Sequence, residues 1–336
     1  MTDYLIVGQG LAGTVLAWQL IDRGCSVIVL DREDESTSSK VAAGLINPIT
    51  GRYLTKSWRI DETLPLAFEF YRGIERRTSA AFLHEMPVVR LFKSQQEVER
   101  WEKRLGNPGY APFYYNDPAA WLGSELVDCS FGGFATRQSG YLDTETFLGA
   151  SREAFRKLGC YQVGDSWEDA DARTIVFCQG FEAQRNPLFD WVPFKSAKGE
   201  ILTLEIEAPD LPRDRIYNRG VWLLPGADGK FRTGSTYSWD PLDSVPTAHA
   251  RESIESRLRA WLKVPFEVVG QRAAVRPIIN ASKVLIGRHP ARDEIAFFNG
   301  LGSKGVSNAP FFAQQLAEHL CGKGKIDPEV DLRKNL

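Results

Sequence analysis

The chain has 336 residues, 43% of them hydrophobic and 25% charged, with a formal net charge of -2. That composition supports about two globular domains and carries no global electrostatic footprint for nucleic acid, although a local basic patch is compatible with it. The five cysteines are scattered with no Cys-x-x-Cys pair and the four histidines are isolated, so neither a disulfide framework nor a metal site is expected. No apolar run nears the ~20 residues that span a bilayer. The first core strand opens by Tyr4, so a reduced, cytoplasmic protein without a signal peptide is expected.

The first stretch organises the rest. Asp3 to Val7 reads as a buried strand, and Gly8-Gln9-Gly10-Leu11-Ala12-Gly13 follows it directly. Leu11 to Arg23 reads as a helix stopped by Gly24, and Ser26 to Leu30 as a second buried strand that delivers Asp31. This is the pattern of a βαβ unit that binds a dinucleotide. Gly8 allows the tight turn, Gly10 lets a pyrophosphate approach the backbone, and Gly13 lets helix and strands pack closely. The helix N-terminus aims its free N–H groups at the phosphates. Asp31, with Arg32 beside it, is placed for the adenosine ribose.

Arg32 to Lys40 is polar and reads as a loop; Val41 to Pro48 is small and apolar, suited to a cofactor's flank or to a buried turn. Trp58 to Ala81 has helical spacing. Pro87 to Phe92 is a strand, Ser94 to Leu105 a charged helix, and Asn107-Pro108-Gly109 its break. Gly140 to Asp143 leads into a helix to Leu158. Tyr161 to Val163 and Thr174 to Cys178 are strands, the latter ending at Gln179-Gly180. From about 195 to 270 the texture is that of antiparallel strands with one helix, Ala248 to Leu262. Strands return at Val284 to Gly287 and Ile295 to Asn299. A helix is expected from about Pro310 to Leu320, with Asn308 as cap and Pro310 in its first turn.

Gly300-Leu301-Gly302-Ser303-Lys304-Gly305 repeats the glycine pattern, but no strand with an acidic end follows, so a second βαβ unit cannot close. The better reading is a loop and helix N-terminus lying against a cofactor. A flavin N1–C2=O locus, negative when reduced, would profit from that dipole, which favours FAD over NAD.

With these pieces in place the chain resembles the D-amino acid oxidase superfamily of flavoproteins, which includes glycine and sarcosine oxidases. The resemblance rests on the N-terminal fingerprint, Ser38-Ser39-Lys40-Val41-Ala42-Ala43-Gly44, Cys178-Gln179-Gly180, Ala274-Val275-Arg276-Pro277, Ile286-Gly287-Arg288-His289-Pro290 and the terminal loop. Ser307-Asn308-Ala309-Pro310 looks closer still to the flavin domain of the bifunctional tRNA 5-methylaminomethyl-2-thiouridine enzyme. The fold implied is α/β: a Rossmann-like FAD-binding domain of glutathione-reductase type with a discontinuous β-rich substrate domain. The expected division is 1–85, 138–194 and 270–336 for FAD, and 86–137 and 195–269 for substrate.

The resemblance implies that Ser38, Ser39, Ala43, Gly44 and Gly180 lie along FAD, that Gly300, Gly302, Ser303, Lys304 and Gly305 pass the flavin ring, and that Arg276 binds a substrate carboxylate. Arg suits that task because its planar fork pairs bidentately with a carboxylate. Trp222, Tyr237 and Lys304 are candidates for the pocket wall. No cysteine lies in the 300–305 loop, so non-covalent FAD is expected. The implied reaction is oxidation of the C–N bond of a small amino acid or N-substituted glycine, by hydride transfer to flavin N5 and then imine hydrolysis, with oxygen or a quinone as electron acceptor. A tRNA substrate is the alternative, disfavoured by the charge balance; a non-catalytic flavoprotein is the third. Arg288 is expected in a structural ion pair, and Trp58-Arg59 has no assigned role.

Overall fold

A computed structural model describes residues 1–122, 125–280 and 283–335. Its centre is a six-stranded sheet in the order Tyr161–Val163, Val27–Asp31, Thr2–Val7, Ala172–Phe177, Ile295–Asn299, Leu285–Arg288. The first five strands run parallel and the last pairs antiparallel. Val7 sits opposite both Leu30 and Phe177, so the first strand is central and its C-terminal end opens between two neighbours. That is where ligands bind in open α/β sheets.

The first helix, Leu11–Ile21, is buried almost all round because it lies between the sheet and the terminal helix, Gly305–Leu320. Trp18 anchors it, donating to Ser151 Oγ at 3.1 Å and packing on Phe155. Gly8 adopts φ +104°, and a Cβ on Gly13 would sit 1.9 Å from the Gly8 carbonyl oxygen. The spacing of the fingerprint is therefore a packing requirement inside the turn itself.

A second, seven-stranded sheet is ordered Glu267–Arg276, Ala197–Glu205, Phe231–Gly234, Val221–Pro225, Ile216–Arg219, Val88–Leu91, Gly133–Ala135. It draws two distant stretches of sequence together: Ile216–Arg219 pairs in parallel with Val88–Leu91. Glu267–Arg276 runs as one strand through position 270 and carries Arg276 at its end. Its own core, built on Leu202, Leu204, Leu223, Phe231 and Trp261, is separate from that around the first helix.

Three expectations change. Ser38–Val41 closes the polar 32–40 stretch as a short helix rather than a loop. The long helix spans Ile60–Thr78; Arg59 and Ser79 at its two ends are left-handed, and the Glu75 carboxylate accepts the Phe82 and Leu83 amides at 2.8 Å each, which turns the chain back. The terminal helix begins at Gly305, not near Pro310, and Asn308 lies inside it rather than capping it. Pro310 lacks the N–H that would serve the Val306 carbonyl. The Tyr71 hydroxyl donates to that oxygen at 3.0 Å, so the helix continues through the proline.

Trp58 and Arg59 are tied into this packing. Trp58 stacks on Phe312 at 5.4 Å, and Arg59 pairs with Glu62 at 2.6 Å and Asp327 at 2.5 Å. Arg288 donates to Thr174 Oγ1 at 3.4 Å and to the Asp293 carbonyl, and among the described residues it forms no ion pair.

Candidate active site

A cavity of about 920 Å³ runs from the end of the first strand to the face of the second sheet. At one end it is lined by Gly8, Gly10, Leu11, Ala12, Asp31 and Arg32; along its length by Ser38, Ser39, Ala43, Gly44 and Gly180; at the other by Trp222, Tyr237, Arg276 and the 302–305 loop. Sequence-predicted residues more than 290 positions apart in the chain thus meet on one surface. Gly13 and Gly300 stand off the lining. Gly300, with φ +83°, turns the chain where a Cβ would lie 2.6 Å from the Lys283 carbonyl oxygen.

At the first end, Asp31 accepts the Gln9 amide on one carboxylate oxygen at 2.6 Å and the Glu33 amide on the other at 2.7 Å. Those bonds fix its orientation and leave lone pairs for further donors. Ser39 Oγ accepts the Leu11 amide at 3.0 Å, so the short helix at 38–41 is fastened to the first turn of Leu11–Ile21. The Ala12 and Gly13 amides that follow have no intrahelical acceptors, and Thr14 is the first to find one, the Gly10 carbonyl at 2.9 Å.

At the other end the geometry centres on Arg276. Its Nη2 donates to Ser235 Oγ at 2.8 Å and its Nη1 to the Thr236 carbonyl at 3.2 Å, while its guanidinium lies 4.3 Å from the Tyr237 ring centroid. Burial pushes its pKa down from the ordinary arginine value, yet an arginine stays protonated. Among the described residues no carboxylate neutralises it. A cation drawn partly out of water without an anion is costly, and here it faces a cavity. Ser235 and Thr236 escaped the sequence reading; they sit between strands and carry no motif. Asn299 was missed too: it donates to the Gly180 carbonyl at 2.8 Å and joins the two strand ends on the lining.

Lys304 is the second such cation. It precedes the terminal helix, lines the same cavity, and has no hydrogen bond or ion pair at its ammonium among the described residues. Burial pushes its pKa down to about 8. Trp222 is buried and forms a wall; Tyr237 is half exposed at the mouth. Cys178 is the one cysteine on the lining among the described residues, and burial pushes its thiol pKa up, away from reactivity. No described group of His, Cys, Asp and Glu is arranged to hold a metal ion, and no described helix is long and apolar enough to cross a membrane.

The parts fit an extended dinucleotide: two helix N-termini and three cations without an ion pair among the described residues, Arg32, Arg276 and Lys304, face one elongated cavity that begins at a glycine turn. This is the architecture of a flavin-dependent oxidoreductase. A family model described as FAD dependent oxidoreductase matches residues 3–319, and the chain belongs to that family, whose members bind FAD. In structure it is similar to the glycine oxidase of Bacillus cereus, with TM-score 0.80 and 17% identity over 97% of this chain and 98% of that one. It is similar also to the iminodiacetate oxidase of a Chelativorans species, with TM-score 0.76 and 16% identity over 97% of each chain. In sequence it is similar to the tRNA 5-methylaminomethyl-2-thiouridine biosynthesis bifunctional protein of Marinobacter nauticus, 23% identical over 94% of this chain and 55% of that protein. The protein of the same name from Burkholderia mallei is 27% identical over 75% of this chain and 42% of its own length. The chain thus spans about half the length of the curated relatives it matches.

Proposed function

We propose that this chain oxidises the C–N bond of an amine bearing a carboxylate, a small amino acid or an N-substituted glycine, and that the imine product hydrolyses. The observation that carries the reading is the half-buried Arg276 guanidinium, unpaired by any described carboxylate and facing the cavity. FAD, when bound, supplies the hydride acceptor. Arg276 would hold the carboxylate through a charge-assisted bidentate pair, with Tyr237 stacked against its guanidinium and Trp222 as part of the pocket wall. Holding the reacting carbon at near-attack distance is most of the protein's task if the amine arrives neutral. The residues proposed to hold FAD are Gly8, Gly10, Leu11, Ala12, Asp31, Arg32, Ser38, Ser39, Ala43, Gly44, Gly180, Gly302, Ser303, Lys304 and Gly305, with Gly13 and Gly300 shaping the turns. We assign 1–85, 138–194 and 270–336 to FAD and 86–137 and 195–269 to substrate.

The test is anaerobic mixing of the FAD-loaded protein with D-amino acids, glycine, sarcosine and longer N-alkyl glycines while watching the visible flavin band. Bleaching by one of them, lost in Arg276→Ala with flavin retained, supports the reading. Readmitting air then separates oxygen from a quinone as acceptor. Bleaching that survives Arg276→Ala sinks the carboxylate clamp.

A second reading takes the same chemistry to an N-carboxymethylated uridine in tRNA. What favours it is the name shared by the sequence relatives above. A folded yellow protein that no small amine bleaches would move the assignment there.

A further inference from the structure

Beside the cavity lies a group of arginines that the chemistry above does not use. A hairpin formed by Ile49–Thr50 and Thr55–Lys56 has Thr50 next to its turn, on the lining of the large cavity and of an adjoining one of about 330 Å³. Its tip presents Arg52 and Tyr53, both exposed. The helix Gln95–Leu105 runs alongside. Arg100 donates to the Arg52 carbonyl at 3.2 Å and Arg104 to the Tyr53 carbonyl at 3.3 Å. The Arg52 guanidinium lies 4.5 Å from the Tyr53 ring centroid and that of Arg100 lies 5.7 Å from it.

None of these three arginines has a carboxylate within ion-pair distance among the described residues. Their neighbours do: Arg59 pairs with Glu62 and Asp327, Arg90 with Glu97, Lys56 with Asp61. Arg100 and Arg104 are four apart and share a helix face, while Glu99 and Glu102 on the same helix are exposed and pair with none of the three. Each guanidinium has five donors, so the carbonyl bonds leave most of that capacity, and the whole charge, unused. Three fixed guanidinium groups around an exposed tyrosine match the two things an RNA strand offers: phosphates, which arginine binds in a fork, and base faces, which stack on guanidinium planes and aromatic rings.

We propose that the 51–54 hairpin tip, with Arg100 and Arg104, is a docking surface for RNA, which would deliver an unpaired modified nucleotide past Thr50 into the cavity. The proposal rests on the second reading of the reaction. The chain's net charge of -2 bears on it only as a limit: there is no long-range field to reinforce the patch, so binding depends on few contacts.

The experiment is titration of fluorescein-labelled unfractionated tRNA with the FAD-loaded full chain at salt from about 50 to about 200 mM. Expected is saturable binding that weakens with salt, and an about tenfold or greater loss at the low-salt end in Arg52→Gln/Arg100→Gln/Arg104→Gln. The salt slope should fall by about 0.7 to 0.9 for each phosphate contact removed. Arg100 and Arg104 also fasten the turn, so Arg52→Gln, whose side chain bonds and stacks only with Tyr53 among the described residues, is made separately and should weaken binding with flavin content unchanged. No binding by the unaltered protein at low salt, equal binding by the triple variant, or equal affinity for poly-glutamate would overturn the proposal. The two failures are distinguishable: RNA binding that is equal in the triple variant removes the docking surface alone, whereas no RNA binding with amine bleaching intact removes the tRNA reading with it.

Discussion

The Arg276 guanidinium lies against the backbone of Gly199, where a Cβ would sit 2.1 Å from both Nη atoms. The two residues are diagonal neighbours on adjacent strands: Gly199 pairs with Ala274, and Arg276 with Ala197. Glycine here is a seat for the side chain across the ladder. Gly199→Ala should expel the guanidinium from its place against Ser235 and Thr236 without touching the first sheet. The expected result is normal flavin content with substrate affinity reduced at least about tenfold, the equivalent of about 1.4 kcal/mol. Unchanged affinity for the amine that bleaches the flavin would remove Arg276 from the carboxylate site.

Lys304 sets a pH dependence whose sign can be worked out. Its folded pKa is depressed to about 8, from an unfolded value of 10.5. Below about 8 the lysine is charged in both states, and the folded state bears the full desolvation penalty. Between there and the unfolded value the folded protein releases its proton first, so stability rises with pH in that window. In flavin-free protein, Lys304→Met should therefore be more stable by about 1 kcal/mol below about pH 8, since the half-buried ammonium is partly screened by solvent, an advantage that shrinks at higher pH. Thermal melts across that range read it directly; a Met variant less stable at neutral pH would mean that the ammonium has an anionic partner. The same variant should bind FAD more weakly, because the cation is lost.

The glycine turns and strand ends are local patterns that a sequence shows directly, and the structure brings Gly8, Gly10, Leu11, Ala12 and residues 301–305 to one cavity, while Gln9, Gly13 and Gly300 stand off its lining. What escaped was non-local. Gly199 and Ser235 matter only because two strands bring them to Arg276, and no spacing announces that. Cys25 and Cys321, scattered in the chain, lie with sulfurs 3.5 Å apart as free thiols. Proline normally marks a helix's first turn, but Pro310 lies inside Gly305–Leu320, and the compensating hydroxyl comes from Tyr71, far away in sequence.

That compensation is itself testable. Tyr71 is fully buried among Phe70, Phe147 and the terminal helix, and its hydroxyl serves the carbonyl that Pro310 leaves free. Tyr71→Phe keeps the ring and strands the Val306 oxygen, a loss of about 1–3 kcal/mol. Paired with Pro310→Ala, which restores an amide donor, most of that loss should disappear. A double-mutant cycle with no coupling would show that the carbonyl finds another partner.

Gly10 and Gly13 divide the fingerprint into a ligand-facing half and a packing half. Among the described residues a Cβ on Gly10 would meet only the Ser39 side chain, its Oγ at 3.1 Å, and Gly10 has the extended backbone that any residue adopts. Its side-chain space is the cavity itself. A Cβ on Gly13 would instead overlap the Gly8 carbonyl, inside the turn. Gly10→Val should leave a folded, colourless protein whose melting temperature no longer rises with added FAD, whereas Gly13→Val should lower the melting temperature of the flavin-free protein as well. Fold loss at both positions would mean that Gly10 is structural; a yellow Gly10→Val protein would move the pyrophosphate away from the first helix.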